Sequence, residues 1–255
     1  MPRQARIKSS TGIYHVMIKG INKEQIYKKD IYKANILKFI REIKEKDKFF
    51  VIAYCIMNNH MHLLIKVEED NLADIMRKIN VKFAMYYNYF EERNGYVFQN
   101  RFRSEAVEDR NYLLCALRYI HNNPVKAMLA DSIYKYPWSS ANDYISGNSN
   151  IISEKYLNGI MKMFNNKQEF INFHGVFDDR LYMDIKEEQN KVIQEIINNT
   201  IDHYILEKGI VDKSQITQAQ KEELASKLLK YKFISKSEIA EKCNISIHKV
   251  SDIKI

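Results

Sequence analysis

The chain has 255 residues, a formal net charge of +8 and an apolar share of 45%, which suits a hydrophobic core in one large or two small domains. Its three cysteines are widely spaced and no apolar run approaches membrane-spanning length. These features exclude a disulfide framework, a C-x-x-C zinc site and a membrane anchor, so we expect a cytoplasmic protein. The calculated pI of about 9.1 favours a polyanionic partner without identifying one.

The first part of the chain predicts an α+β fold. In chain order, the apolar patterns predict a strand at 14–19, a helix from about 30 to 43, strands at 49–57 and 62–67, a helix at 72–90, and a segment at 96–107 that leads into a fourth strand. The order βαββαβ is characteristic of the ferredoxin-like arrangement, an antiparallel sheet with two helices on one face.

Two histidines, His60 and His62, are separated by one residue inside an apolar run. Side chains in a strand alternate between faces, so both histidines should project from the same face. This geometry suits neighbouring ligands on one metal ion, because imidazole is a common metal ligand. The alternative is two polar residues at the start of an ordinary strand.

A third predicted helix spans residues 110–122 and ends before Pro124, because proline disfavours helical geometry in the preceding residue. The helix carries Tyr119, and Asn123 follows four residues later. Residues four apart lie on one helical face, so these two side chains should lie together. His121 lies between them and should point elsewhere.

Composition changes near the Gly-Asn-Ser-Asn segment at 147–150. We place a domain boundary there, which gives a catalytic domain at 1–147 and a helical domain at 148–255. The helices of the second domain are predicted at 151–163, 167–173, 186–206 and 217–230.

Residues 235–253 outline a helix-turn-helix. A capping box at 235–238 begins the first helix, and Asn244 can adopt the left-handed conformation in the turn. The second helix would present His248 and Lys249 to a DNA major groove. The alternative is two helices that only pack a small apolar core.

Five motifs follow one another over residues 14 to 144. They are Ala53-Tyr54-Cys55-Ile56-Met57, His60-Met61-His62, Val97-Phe98-Gln99-Asn100-Arg101-Phe102-Arg103-Ser104, Arg118-Tyr119-Ile120-His121-Asn122-Asn123-Pro124-Val125 and Tyr136-Pro137-Trp138-Ser139-Ser140. In these motifs the chain resembles the single-tyrosine HUH transposases, and most closely the REP-associated tyrosine transposases. The resemblance implies the same ferredoxin-like palm.

The resemblance also implies a mechanism, in which a tyrosine attacks a phosphodiester of single-stranded DNA and leaves a 5′-phosphotyrosine and a free 3′-hydroxyl. Tyr119 is the matching residue. Free tyrosine, with a pKa near ~10, is a poor nucleophile without assistance. His60, His62 and Asn123 match the ligands of one divalent ion, and two imidazoles with one amide oxygen suit Mg²⁺ or Mn²⁺ better than a closed zinc site.

The expected partner is single-stranded or hairpin DNA, with no membrane partner and with a homodimer as one option for the assembly. Residues expected to contact DNA are Lys19, Arg101, Arg103, Arg118, Lys126, His248 and Lys249. The family usually has Arg-Gly-Asn after the first strand, whereas this chain has Lys19-Gly20-Ile21-Asn22. The lysine keeps the positive charge but lacks the guanidinium group that can bind a phosphate through two hydrogen bonds. Two alternatives are a DNA-binding regulator that no longer cleaves and a metal-dependent phosphodiesterase in which water attacks.

Overall fold

The computed structural model describes residues 6–176, 178–210 and 216–253. The chain divides into two compact units, Met1–Asp178 and Asp179–Ile255, and the boundary predicted after residue 147 lies inside the first unit. The described elements of the first unit are β1 (Ile13–Lys19), a 3-10 turn (Ile21–Lys23), α1 (Asp30–Asp47), β2 (Phe49–Ile56), β3 (His60–Val67), α2 (Leu72–Phe90), β4 (Arg103–Val107), α3 (Arg110–Lys126), α4 (Ala141–Ser146), α5 (Glu154–Met161) and α6 (Lys167–His174).

The strands form one antiparallel sheet in the order β2-β3-β1-β4, and the element order βαββαβ predicted from the sequence is observed. β1 lies between β3 and β4. His62 pairs with Met17, and His15, two residues earlier on β1, pairs with Glu105. Directly paired residues project from the same face, so His15, His60, His62 and Glu105 share one face of the sheet.

Both faces of β3 are buried. Met61, Leu63 and Ile65 point away from the histidines and are at most 1% exposed, and burial of such side chains stabilises the fold by about 1.5–3 kcal/mol each. On the histidine face, α3 packs against β2 and β3. The sheet therefore holds its two histidines under a helix rather than in open solvent.

The outer edge of β2 is covered by later parts of the chain. An exposed edge strand is a template for pairing with another chain, and here its backbone groups are used internally. The bonds run from Ile56 N–H to the Trp138 carbonyl (2.9 Å), from Ser140 N–H to the Tyr54 carbonyl (3.0 Å) and from Ser153 N–H to the Val51 carbonyl (3.2 Å). The Ser153 bond attaches the chain beyond α4 to the sheet, which explains why the first unit extends past the predicted boundary.

α3 extends to Lys126, so the prediction that it ends at residue 122 is wrong. Pro124 lies inside the helix, but in its last turn, where the missing N–H removes a single helical hydrogen bond, to the Ile120 carbonyl. The helix closes past the proline because Ala127 N–H donates to the Asn123 carbonyl at 3.0 Å.

The second unit contains α7 (Lys186–Glu207), α8 (Gln218–Leu229), α9 (Lys236–Cys243) and α10 (Ile247–Asp252). Its helices pack around buried side chains that include Leu228, Ile239 and Val250. Ser235 Oγ accepts a hydrogen bond from Glu238 N–H at the start of α9. Asn244 links α9 to α10 with the left-handed conformation that the sequence predicts (φ 51°). Among the described residues of both units, no helix has the length and apolar character needed to cross a membrane.

Candidate metal and nucleophile site

His60 and His62 lie at the start of β3 and are 2% and 0% exposed. Their ring centroids are 5.0 Å apart and the ring planes are nearly perpendicular. A ligand nitrogen of each ring lies within 4.8 Å of one on the other ring. His60 Nδ1 lies 2.7 Å from the Asn59 amide oxygen, so Nδ1 carries the proton and Nε2 carries the lone pair that a metal needs. This buried pair could bind a metal ion.

His15 projects from β1 beside His62. Its Nε2 lies 2.9 Å from His62 Nδ1, and its Nδ1 lies 4.0 Å from a carboxylate oxygen of Glu105. The same carboxylate accepts a hydrogen bond from the Tyr112 hydroxyl at 2.7 Å. In the tautomer with the proton on His15 Nδ1, toward the carboxylate, His15 Nε2 accepts and His62 donates through Nδ1. In this tautomer His62 Nε2 carries the lone pair that a metal needs.

Tyr119 lies on α3 over these rings and is 6% exposed. Its ring makes edge contacts with His62, at 5.6 Å between centroids, and with His15, at 5.9 Å. Asn123 lies one turn later, is buried, and donates from its amide nitrogen to the Tyr119 carbonyl at 3.1 Å. The structure thus brings a phenol against the paired imidazoles, and it holds Asn123 on the same helical face as Tyr119.

Residues 8–123 match the family model described as Transposase IS200 like. This part of the chain is similar to the IS200-like transposases. A Haemophilus influenzae protein described as a REP-associated tyrosine transposase is 27% identical over 129 residues, which cover 44% of this chain and 73% of the relative. A solved REP-associated tyrosine transposase bound to a REP hairpin is 19% identical, with a TM-score of 0.50 over 57% of this chain and 86% of that one. The resemblance stated from the sequence motifs is confirmed.

The matched region, residues 8–123, contains every residue of the predicted metal and nucleophile set, because Asn123 is the last matched position. Sequence reasoning missed Glu105 and its hydrogen bond to Tyr112. Glu105 comes close to His15 because these residues are paired across β1 and β4. A single sequence does not reveal this strand register, so it could not have identified Glu105.

The predicted DNA-contacting side chains of the first unit fall into two groups. Arg101, Arg103 and Lys126 are exposed and Lys19 is half-buried. Arg118, in contrast, is 7% exposed and forms an ion pair with Asp178 at 2.8 Å. A buried guanidinium with a carboxylate partner is already neutralised, so we leave Arg118 out of the DNA-contacting set. In the second unit, His248 and Lys249 are both exposed on α10.

His121 points away from Tyr119, as the sequence predicts. Its Nδ1 lies 2.9 Å from His174 Nε2 and its Nε2 lies 2.8 Å from Ser140 Oγ. His174 Nδ1 in turn bonds the Phe170 carbonyl at 2.7 Å. Burial lowers the pKa of His121 well below its usual value and lowers the pKa of His174 to about 4. This neutral pair joins the helix that carries Tyr119 to α6 and, through Ser140, to the edge of β2.

Proposed function

We propose that the chain is a metal-dependent endonuclease and strand transferase that acts on single-stranded DNA at hairpin repeats. The main support for this proposal is the edge contact between the buried Tyr119 ring on α3 and the His62 ring, whose centroids are 5.6 Å apart. A buried phenol against paired imidazoles combines a nucleophile with metal ligands. The four antiparallel strands and the element order support the ferredoxin-like palm expected of such an enzyme.

In the proposed reaction, Tyr119 Oη forms a bond to phosphorus and the bond from phosphorus to the 3′-oxygen breaks. The phenol loses its proton, and the departing 3′-oxygen takes one up as a hydroxyl. The products are a 5′-phosphotyrosine on Tyr119 and a free 3′-hydroxyl. The reverse attack by a 3′-hydroxyl restores the phosphodiester and releases Tyr119, so strands are rejoined without an external energy source.

His60 Nε2, His62 Nε2 and the Asn123 amide oxygen are the proposed ligands of Mg²⁺ or Mn²⁺. The donor set fits, because each Nδ1 atom already has a hydrogen-bonding neighbour, Asn59 Oδ1 for His60 and His15 Nε2 for His62, which leaves Nε2 of each ring to coordinate a metal, and the amide nitrogen of Asn123 is the atom that binds backbone. When bound, the ion withdraws charge from a non-bridging phosphate oxygen. Three ligands leave coordination positions for that oxygen and for water.

Hairpin DNA is the proposed partner because a structurally similar transposase was solved with a REP hairpin. Lys19, Arg101, Arg103 and Lys126 would contact its phosphates. In the second unit, α9 and α10 would act as a helix-turn-helix, since the turn at Asn244 and the exposed His248 and Lys249 fit that use.

The test is to incubate the full chain with Mn²⁺ and labelled single-stranded DNA that forms the hairpin repeats flanking the gene. We expect a protein–DNA adduct that survives denaturing electrophoresis and that disappears when EDTA removes the metal. Cleavage without an adduct would favour the water-using phosphodiesterase instead. Tight binding with neither cleavage nor adduct would favour the DNA-binding regulator.

Replacing His15 by alanine should weaken Mn²⁺ binding by about 10- to 100-fold, because outer partners of metal-binding histidines fix ring orientation and tautomer. Titration followed by electron paramagnetic resonance measures this affinity without DNA. Alanine at His203, an exposed histidine of α7, is the matched control and should bind Mn²⁺ like the parent. Unchanged affinity in a folded His15→Ala protein would contradict the role assigned to His15.

A further inference from the structure

Glu105 projects from β4 onto the histidine face of the sheet, where its side chain is 39% exposed. One carboxylate oxygen, Oε2, accepts a hydrogen bond from the Tyr112 hydroxyl at 2.7 Å and lies 4.0 Å from Nδ1 of the fully buried His15. This 4.0 Å separation is longer than a hydrogen bond, but it is short enough for the charge of a carboxylate to act on the imidazole. Glu105 therefore places a negative charge against one edge of His15.

A neutral imidazole carries its proton on either Nδ1 or Nε2, and the charge of Glu105 makes these two forms of His15 unequal in energy. A proton on Nδ1 points an N–H toward the carboxylate, which is an attractive arrangement. A proton on Nε2 points the Nδ1 lone pair toward the carboxylate, which is a repulsive one. Glu105 therefore favours the tautomer of His15 that is protonated on Nδ1 and accepts through Nε2.

The tautomer of His15 decides which nitrogen of His62 is available to a metal ion. His15 Nε2 and His62 Nδ1 are 2.9 Å apart, so one of them donates and the other accepts. When His15 Nε2 accepts, His62 is protonated on Nδ1 and its Nε2 keeps a lone pair. When His15 Nε2 donates, a neutral His62 is protonated on Nε2, and that nitrogen cannot bind a metal ion.

His60 has a different neighbour at its Nδ1. This atom lies 2.7 Å from the amide oxygen of Asn59, the residue that precedes β3, so an acceptor next to it in the chain sets its tautomer. The two proposed metal histidines thus depend on different acceptors, a local amide for His60 and a distant carboxylate for His62. A change at Glu105 should affect His62 and leave His60 as it is.

We propose that Glu105 is a positioning residue of the metal site, which acts through His15 to keep the lone pair of His62 Nε2 available to the ion. Tyr112, on the helix that carries Tyr119, holds the carboxylate in place through its hydroxyl. The proposal rests on the proposed function for the presence of a metal ion, and it deepens that function by naming what prepares one ligand. It concerns metal binding and not the cleavage step.

The first test observes the tautomers by NMR that correlates the ring protons and nitrogens of the histidines in the metal-free full chain. In the parent, His62 Nε2 should resonate as an unprotonated nitrogen. Glu105→Gln keeps the size of the side chain and removes its charge, so part of the His62 population should become protonated on Nε2. The His60 signals should not change. Identical His62 signals in the parent and the variant would overturn the proposal.

The second test measures Mn²⁺ affinity by electron paramagnetic resonance without DNA. Glu105→Gln should weaken binding about tenfold, the low end of the effect of outer partners of metal-binding histidines, because solvent screens a partly exposed carboxylate. Glu108→Gln is the matched control, since it removes an exposed carboxylate that bonds the Ser10 N–H instead, and it should bind Mn²⁺ like the parent. An affinity of Glu105→Gln within about twofold of the parent would contradict the assigned role.

A double-mutant cycle shows whether Glu105 acts through His15 or attracts the ion directly. In a His15→Ala background, Glu105→Gln should cost no further affinity, because the ring that transmits its effect is absent. A further loss equal to that in the parent background would show that the carboxylate acts on the ion by its charge alone, and would reject the positioning role. Thermal melting checks the fold of each variant, and His15→Phe, which keeps a buried ring, replaces His15→Ala if the alanine variant is unfolded.

The adduct assay separates this proposal from the proposed function. If the parent chain forms the adduct and Glu105→Gln keeps the parental tautomers and Mn²⁺ affinity, only the role of Glu105 is rejected. If Glu105 controls the tautomer of His62 but no adduct forms, only the cleavage assignment is rejected.

Discussion

Replacing Tyr119 by phenylalanine should reduce the covalent protein–DNA adduct at least about a thousand-fold, because the substitution removes the only atom that can bond phosphorus at this position. The ring itself remains, so its edge contacts with His62 and His15 persist, and the chain should stay folded. Mn²⁺ binding should also persist, since the phenol is not a proposed ligand. The measurement is denaturing electrophoresis with DNA labelled at its 3′ end, because the 3′ fragment is the one attached to protein.

Tyr112→Phe is the matched control for this prediction. Tyr112 lies on the same helix, two turns before Tyr119, and its hydroxyl donates to Glu105, so a phenylalanine there removes a hydroxyl near the same site. We expect this variant to form the adduct within about tenfold of the parent, the low end of outer-partner effects. An adduct that survives in Tyr119→Phe and disappears in Tyr112→Phe would show that Tyr112, and not Tyr119, is the nucleophile.

The parts of the site that the sequence predicts correctly depend on local periodicity. His60 and His62 lie on one face because a strand has a period of two, and Tyr119 and Asn123 share a helical face because they are four residues apart. Both relations are unaffected by how the elements pack. The element order of the sheet could also be read from the pattern of apolar residues, and helix α2 has the bounds that its apolar spacing predicts.

The relations that the sequence could not supply all involve residues far apart in the chain. Glu105 approaches His15 only because β4 pairs with β1 in one register. Arg118 looks like a phosphate ligand in a basic motif, yet Asp178, sixty residues away, neutralises it in a buried pair. Pro124 shows the limit of a local rule, because a proline that would end a helix in isolation is tolerated where neighbouring backbone groups complete the last turn.

The stability of the first unit should fall as the pH is lowered from about 7 to about 4, because the His121–His174 pair is buried in its neutral form. The folded pKa values of both histidines lie below the ordinary value of 6.5. Between the folded and unfolded pKa values, the unfolded chain therefore binds more protons, and the free energy of unfolding decreases with falling pH. For His174, a pKa of about 4 instead of 6.5 corresponds to roughly 3 kcal/mol.

Urea unfolding followed by the fluorescence of Trp138 measures this effect in the first unit, because Trp138 is the single tryptophan of the chain and its carbonyl bonds the edge of β2. His174→Gln should lower stability at pH 7 by about 1–3 kcal/mol through lost hydrogen bonds and should flatten the pH dependence between 6.5 and 4.5. His203→Gln, at an exposed position of α7, should change neither the stability at pH 7 nor its pH dependence. An equally steep pH dependence in His174→Gln would show that other groups carry the acid sensitivity, and the helix bearing Tyr119 would then not be anchored by a neutral histidine pair.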